Sequence, residues 1–347
     1  MPDLLRLMRD WRKYSMSDKK KYFALLLSGG GAIALVIVLG IMLGSVYISA
    51  GDIIDVLLGR SSTAIRGIIV YSRIPRIAAS LLAGAALSVS GAVLQQILAN
   101  KLASPSVVGV NAGAGLGVTV AAAFGVISGL FVSVFAFLGS LLAVILISLV
   151  SRASYASKAS VILAGVALNA MLGAVSESIS VLDDDVALMT AEFRVGGFSS
   201  VSYLRLVPAG IIIVASLAFL FLLLNELDVI SLGDETARGV GLSVKKYRIL
   251  FLIIAALLAG ASVSFAGLLG FVGLIVPHFV RSLVGSESRR LIPLSAIYGA
   301  AFVSFCDILS RFLFAPYELP VGILLSIIGC PVFVWIILKA KGERADA

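Results

Sequence analysis

The sequence predicts an all-α, polytopic membrane protein of about ten transmembrane helices. Of its 347 residues, 60% are apolar and only 13% are charged, and the mean hydropathy is +1.10. Apolar stretches of roughly 20 residues, enough to span a bilayer core of about 30 Å, recur along nearly the whole chain. These stretches show no alternation of period two, which favours packed helices over a membrane β-barrel. No room remains for a sizeable soluble domain.

The predicted spans follow one another along the chain, and the eighth is the shortest. The first follows a basic segment, but it is much longer than the apolar region of a signal peptide and is kept as a helix. The chain therefore divides into a basic segment 1–21, one transmembrane domain 22–338 and a tail 339–347. In order, the predicted spans are 22–48, 74–98, 106–125, 128–150, 160–181, 205–225, 248–268, 271–284, 291–312 and 319–338.

The distribution of basic residues predicts the orientation in the membrane. With the N-terminus inside, 20 of the 27 Lys and Arg residues fall on the cytoplasmic side. The seven on the outside are Arg60, Arg66, Arg73, Arg76, Arg194, Arg205 and Arg311. Because short cytoplasmic loops are enriched in Lys and Arg, both termini are predicted to be cytoplasmic. The net charge of +8 is then a topology signal rather than a sign of nucleic-acid binding.

An internal repeat links two of the spans. The stretch 81–91, LLAGAALSVSG, matches the stretch 257–267, LLAGASVSFAG, at seven of eleven positions. The copies lie in spans two and seven, and an offset of five spans gives them opposite orientations. The pattern therefore predicts an inverted repeat of helices 2–5 and 7–10, as in many transporters. The alternative is shared small-residue packing without a repeat.

Signatures of catalysis are missing from the sequence. No GxxxxGK[ST] motif occurs, so if ATP drives this protein, another subunit binds the nucleotide. His278 is the only histidine and cannot build a multi-histidine metal site. Cys306 and Cys330 lie in apolar stretches and are predicted to pack as small hydrophobes. We therefore expect a non-enzymatic chain without a metal site.

The longest cytoplasmic loop, 226–247, contains SLGDETARGVGLSVKK. Ser231, with Asp234 three residues on, resembles the box that begins a helix, and Gly239 or Gly241 can end that helix. A short helix on the membrane surface is therefore predicted. Composition alone favours a solvated connector over a surface that docks a soluble partner.

Five stretches in order make the chain resemble the FecCD family, permeases of importers for iron-siderophore complexes, haem and cobalamin. The resemblance runs from about Val46 to Lys339, with one departure at Lys101, where the family usually has proline. The stretches are YSRIPRIAASLLAGAALSVSGAVLQ (71–95), NKLASPSVVGVNAGAGLG (100–117), LGDETARGVGL (232–242), GFVGLIVPHFVR (270–281) and ELPVGILLSIIGCPVF (318–333).

The resemblance implies the type II importer permease fold with ten helices per subunit, in the cytoplasmic (plasma or inner) membrane. It implies a homodimer or close heterodimer, two cytoplasmic ABC ATPase subunits that hold ATP and Mg, and an extracytoplasmic substrate-binding protein. No cofactor is expected on this chain itself. The leading function is import of an iron-siderophore complex or haem, and the alternative cargo is cobalamin. An ion-coupled secondary transporter and a passive membrane scaffold are rival interpretations.

The same resemblance assigns roles to individual residues. The docking arginines for the binding protein would be Arg73, Arg76 and Arg311, with headgroup anchoring as the alternative for the first two and an ion pair with Asp307 as the rival for Arg311. The contacts to the ATPase would be Gly233, Asp234, Glu235, Ala237, Arg238 and Gly241. The cytoplasmic gate would be Ser157, Lys158, Ala159 and Ser160, unless Lys158 is only a topology charge.

Two polar residues in the fifth predicted span are candidates for the translocation pathway. Glu177 is expected near the outer interface, roughly 24 Å along the helix from its inner start, and Asn169 about two turns further in. Intramembrane ionisable groups usually face a cavity, although an interfacial acid is an open alternative for Glu177. For His278 a structural hydrogen bond is expected rather than haem ligation.

Overall fold

The computed structural model describes residues 2–44, 46–126, 128–153, 158–313, 315 and 317–345, and the regular elements among them are helical. The first are α1 (Pro2–Met42), α2 (Ala50–Leu57), α3 (Thr63–Ile68), a π-helical turn (Ile69–Arg73), α4 (Ile74–Ile97), α5 (Val110–Ala123), α6 (Gly129–Ala153) and α7 (Lys158–Leu182). The remainder are α8 (Asp184–Val195), α9 (Tyr203–Leu222), α10 (Leu224–Ser231), α11 (Asp234–Gly239), α12 (Val244–Ala266), α13 (Val272–Val284), α14 (Ser288–Phe312) and α15 (Val321–Ala345).

The membrane-spanning set agrees with the predicted spans. Within the described parts of the chain, seven helical stretches are long and apolar enough to cross a bilayer. Three shorter apolar helices, Val110–Ala123, Val272–Val284 and Val321–Trp335, complete the predicted ten. The prediction of an all-α protein with about ten spans is confirmed. The limits of the predicted domain do not coincide with helix ends, because α1 and α15 continue past 21 and 338.

The two halves of the predicted repeat exchange helices: the first helix of each half packs against the third helix of the other half. Helix α4 packs against α14, and its counterpart α12 packs against α6, the counterpart of α14. Gly84 and Gly260 occupy matching positions of the repeat, and each lies at one of these crossings. A Cβ atom on Gly84 would collide with the carbonyl of Gly299, and one on Gly260 would lie 2.9 Å from the Cβ of Ser140. Both crossings therefore depend on a missing side chain, which supports the repeat.

The core lies along α4, α12 and α14, where long runs of residues are buried. By contrast, α7 leaves most of its surface exposed, including Leu163, Val166 and Met171. The spanning helices give the bundle two ends. The α11 end carries the short helix α11 with the beginnings of α12 and α14, and the α8 end carries α8 with the ends of α12 and α14.

Candidate functional site

A short surface helix forms at the α11 end, as the sequence predicts, but it begins later than expected. The N-cap is Gly233, with φ +114°, and the hydroxyl of Ser231 donates to the carbonyl of Asp228 at 2.7 Å instead. The predicted helix box at Ser231 is therefore wrong. The predicted end at Gly241 is confirmed, because this glycine has φ +84°. The N–H groups of Gly241 and Leu242 close the helix on the carbonyls of Arg238 and Ala237, both at 2.9 Å.

One side of α11 is fixed to the bundle and the other side is exposed. Ala237 is fully buried, and Asp234 pairs with Arg248 of α12 at 2.6 Å. Glu235 and Arg238 are exposed on the short helix. They are flanked by two exposed apolar side chains, Leu232 at 70% and Val240 at 68%. Charged groups beside exposed apolar side chains form a surface suited to a protein partner.

A polar network behind α11 ties this end of the bundle together. The carboxylate of Asp228 accepts the N–H of Ser288, the first residue of α14, at 2.8 Å. The hydroxyl of Ser288 donates to Gln96 at the end of α4 at 3.1 Å, and Gln96 donates to the carbonyl of Ser286 at 3.0 Å. The network joins α10 to α4 and α14. Sequence reasoning missed it, because no local spacing relates these residues.

The three predicted docking arginines meet at the α8 end of the bundle. Arg73 donates to the carbonyls of Leu43 at 2.6 Å and Val46 at 2.9 Å. Arg76 bonds Asp307 of α14 with its Nε and Nη2 atoms and Glu318 with Nη1, the last at 2.6 Å. Arg311 pairs with the same Asp307 at 3.2 Å.

Two of these side chains are buried, although docking to a binding protein would require exposed side chains. Arg73 is only 5% exposed and Arg311 only 2%. The rival ion pair between Arg311 and Asp307 is present, and Arg73 holds the end of α1. The part of the cluster that solvent reaches is Glu318, with 33% of its side chain exposed, and the edge of Arg76, with 11%. Docking through this cluster stays a prediction.

The two pathway candidates on α7 have different surroundings. Asn169 donates to the carbonyls of Ser106 at 2.7 Å and Val107 at 3.2 Å, so it holds the segment that leads into α5. Glu177 has 64% of its side chain exposed and pairs with Arg194 of α8 at 3.0 Å. Glu177 therefore lies at the α8 end, and its ion pair with α8 was not visible in the sequence.

The predicted gate is described only in part. Ser157 lies outside the described residues, α7 begins at Lys158, and nothing is described of the side chains of Lys158 and Ala159. Ser160 is exposed.

The turn at Lys101 is shaped by Asn100, whose side-chain oxygen accepts the N–H of Leu102 at 2.8 Å.

The histidine and the cysteines do not build a metal site. His278 lies half-buried on α13, Cys306 is buried and Cys330 is exposed, and both thiols are free. Throughout the described ranges, no group of three or more His, Cys, Asp or Glu side chains could hold a metal ion.

Comparisons with known proteins agree on one family. The model of the FecCD transport family matches residues 32–339. The hemin transport system permease protein HmuU of Yersinia pestis is 34% identical over 279 residues, covering 79% of this chain and 84% of HmuU. The vitamin B12 import system permease protein BtuC of Vibrio parahaemolyticus is 33% identical over 310 residues, covering 88% of this chain and 92% of BtuC. A structure solved as an inward-facing conformation of a metal-chelate type ABC transporter superposes with a TM-score of 0.81 at 27% identity, covering 92% of this chain and 99% of that one.

Proposed function

The chain belongs to the FecCD transport family as a multi-pass permease of ABC importers, and from that premise we propose that it imports a bulky metal chelate, an iron-siderophore complex or haem. The relatives support this class of cargo, since one is named for hemin and the superposed structure for metal chelates. The second candidate cargo is cobalamin, favoured by the relative named for vitamin B12 import. These cargoes are large, and they need a wide pathway between helices.

The observation that carries the proposal is the exposed surface of α11. A permease without a nucleotide-binding loop must receive the energy of ATP hydrolysis from a subunit that docks on it. Leu232, Glu235, Arg238 and Val240 offer that subunit a compact mixed surface, which the Asp234 to Arg248 ion pair and the buried Ala237 hold against the bundle. We assign this surface to the docking of an ABC ATPase subunit. A dimer of permeases would therefore bind two ATPase subunits, and these would hold the ATP and Mg.

A second copy of the chain is proposed to face α7. This helix exposes most of its length, and its exposed residues include the small Ala167, Ala170 and Ala174 as well as Glu177 and Ser178. A face that mixes alanine with polar groups suits a partner helix or a water-filled pathway better than lipid tails. We infer a homodimer whose pathway runs between the two α7 helices, with the beginning of α7, around Ser160, near its cytoplasmic gate.

The orientation follows from the charges. The α11 end would face the cytoplasm with both termini, as the positive-inside rule favours. The α8 end would then face the extracytoplasmic binding protein. The partly exposed Arg76 and Glu318 form the accessible edge of the arginine cluster there, with Arg73 and Arg311 as buried supports.

The experiment that tests the proposal is ligand-stimulated ATPase activity. The permease is co-purified with its ATPase and binding protein and placed in nanodiscs. A panel of ferric siderophores, haem and cobalamin is then added to the binding protein. Stimulation by one chelate class identifies the cargo, whereas a complex that ignores all of them contradicts the proposal.

A further inference from the structure

The α8 end contains a cavity of about 230 Å³ inside the single subunit, separate from the exposed face of α7. Its walls come from the ends of α5 and α12, the beginnings of α6 and α9 and one side of α8. Val118, Ala122 and Phe193 form part of the apolar wall. Ser133, Ser200 and Ser264 add hydroxyl groups to the lining.

Arg205 brings a positive charge to the cavity. It lies in the first turn of α9, half-buried, and its guanidinium group lies against Gly129, the first residue of α6. A Cβ atom on Gly129 would occupy the place of that guanidinium group. No carboxylate in the described part of the chain lies within ion-pair distance of Arg205.

Glu192 brings a negative charge to the same cavity. This α8 residue accepts a hydrogen bond from the hydroxyl of Ser199 at 3.2 Å, and no cation among the described residues pairs with it. Two of the neighbouring charges at this end are paired across elements: Arg194, two residues along α8, bonds Glu177, and Arg76 bonds Asp307 and Glu318. The cavity therefore holds two opposite charges that do not satisfy each other.

This pattern matches a ligand that carries both charges. A phosphate group would bond the guanidinium of Arg205, and an ammonium group would bond the carboxylate of Glu192. The hydroxyl groups of Ser133 and Ser264 already donate to the carbonyls of Gly129 and Ala261, so their oxygens can accept from an ammonium group. At about 230 Å³, the cavity is several times larger than the space that one water molecule needs, so it has room for a small group such as phosphoethanolamine.

The surroundings of the cavity favour a lipid as the source of this ligand. Phe131 and Val134 are exposed on α6, and Leu204 and Val207 are exposed on α9, so apolar surface continues along two of the helices that border the cavity. Phe124 is 79% exposed at the end of α5. Exposed aromatic side chains at the ends of membrane helices often lie at the level of the lipid headgroups. Acyl chains can lie along these faces while the headgroup enters the cavity.

We propose that the cavity lined by Arg205 and Glu192 binds the headgroup of an aminophospholipid of the phosphatidylethanolamine class. The lipid would join α6, α8 and α9 at the outer end of each subunit. This proposal does not depend on the cargo or on the docking of partner proteins.

The test is lipid binding to the purified chain in detergent, measured by native mass spectrometry. Equal amounts of phosphatidylethanolamine, phosphatidylcholine and phosphatidylglycerol are compared, because the second lacks ammonium N–H donors and the third lacks the ammonium group. We expect phosphatidylethanolamine to bind about tenfold more tightly than either. Arg205→Gln and Glu192→Gln should each remove that preference, and Arg66→Gln, an exposed arginine outside the cavity, should retain it.

Three results would overturn the proposal. The first is equal binding of the three lipids to the wild-type chain. The second is an unchanged preference in both cavity variants, with elution from size exclusion verifying that they fold. The third is tight binding of soluble phosphoethanolamine without any preference among the lipids, which would assign the cavity to a free zwitterion instead.

Discussion

Arg76 of α4 forms a two-pronged salt bridge with Asp307 of α14, with its Nη2 atom 3.0 Å and its Nε atom 3.1 Å from the same carboxylate oxygen. The two helices also meet through the hydroxyls of Ser80 and Ser304, 2.8 Å apart, and through the close approach of Gly84 and Gly299. At the opposite end, Ser288 of α14 donates to Gln96 of α4. Helices α4 and α14 are thus joined along their whole shared length.

Arg76→Ala should destabilise the fold, because it leaves the buried Asp307 with only Arg311 as a cation. Removing one partner of a buried ion pair costs about 3 to 5 kcal/mol, and the 11% exposure of Arg76 places the expected loss toward the lower figure. The check is the melting temperature of the purified protein in detergent. Arg66→Ala, an exposed arginine at the same end, is the matched control and should melt like wild type. Identical melting of both variants would show that the bridge contributes little.

Reversal of charge on the exposed side of α11 should uncouple transport from ATP hydrolysis without unfolding the permease. Glu235 and Arg238 are exposed in the single chain, so Glu235→Arg and Arg238→Glu should leave the fold intact. At an interface, by contrast, losing one partner of a buried charge pair weakens binding by about 2 to 5 kcal/mol. Co-purification of the ATPase and substrate-stimulated hydrolysis are measured together. Wild-type behaviour in both variants would remove these two residues from the interface. Arg66→Glu, at the other end, serves as the control.

Gly84→Val should disrupt the crossing of α4 and α14, since a side chain there meets the backbone carbonyl of Gly299. Overpacking of a core typically costs about 1 to 3 kcal/mol, and a clash with backbone belongs at the upper end. Gly115→Val on α5 is the comparison, because a Cβ atom there meets nothing within 4 Å. The yield of monodisperse protein after size exclusion measures the difference. Equal yields for the two variants would argue against close helix packing at Gly84.

Single cysteines should report the orientation of the chain. In a background without Cys306 and Cys330, Arg60→Cys should react with an impermeant maleimide from outside the cell. Lys245→Cys should react only after the membrane is permeabilised. Both positions are exposed, so accessibility within the protein does not limit either reaction. The reverse labelling pattern would invert the proposed topology and move α11 away from any cytoplasmic ATPase.

The spans could be predicted from the sequence because each is a continuous apolar run, and the inverted repeat because its two copies retain seven matching positions. The beginning of α11 could not be predicted, since Gly233 needs no side chain to start the helix and leaves no capping pattern. The partners of Arg76 and Glu177 were also missed. Glu318 and Arg194 reach these residues from other elements, and such contacts depend on the packing of helices rather than on local spacing.

The docking arginines show the same limit. The sequence predicts correctly that Arg311 has Asp307 one helical turn back, because that spacing is local. It does not indicate that Arg73 turns inward to the carbonyls that follow α1. Exposure is a property of the assembled bundle, and for these arginines it decides which side chains a partner can reach.

Chelate uptake into proteoliposomes tests the central claim most directly. The permease is reconstituted with its ATPase and binding protein, and labelled ferric siderophore or haem is supplied with the binding protein on the side opposite the ATPase. We predict accumulation that requires ATP on the ATPase side, is lost when the binding protein is omitted, and persists when proton and sodium gradients are collapsed. Accumulation that does not require ATP but depends on an imposed ion gradient would contradict the account and establish a secondary transporter.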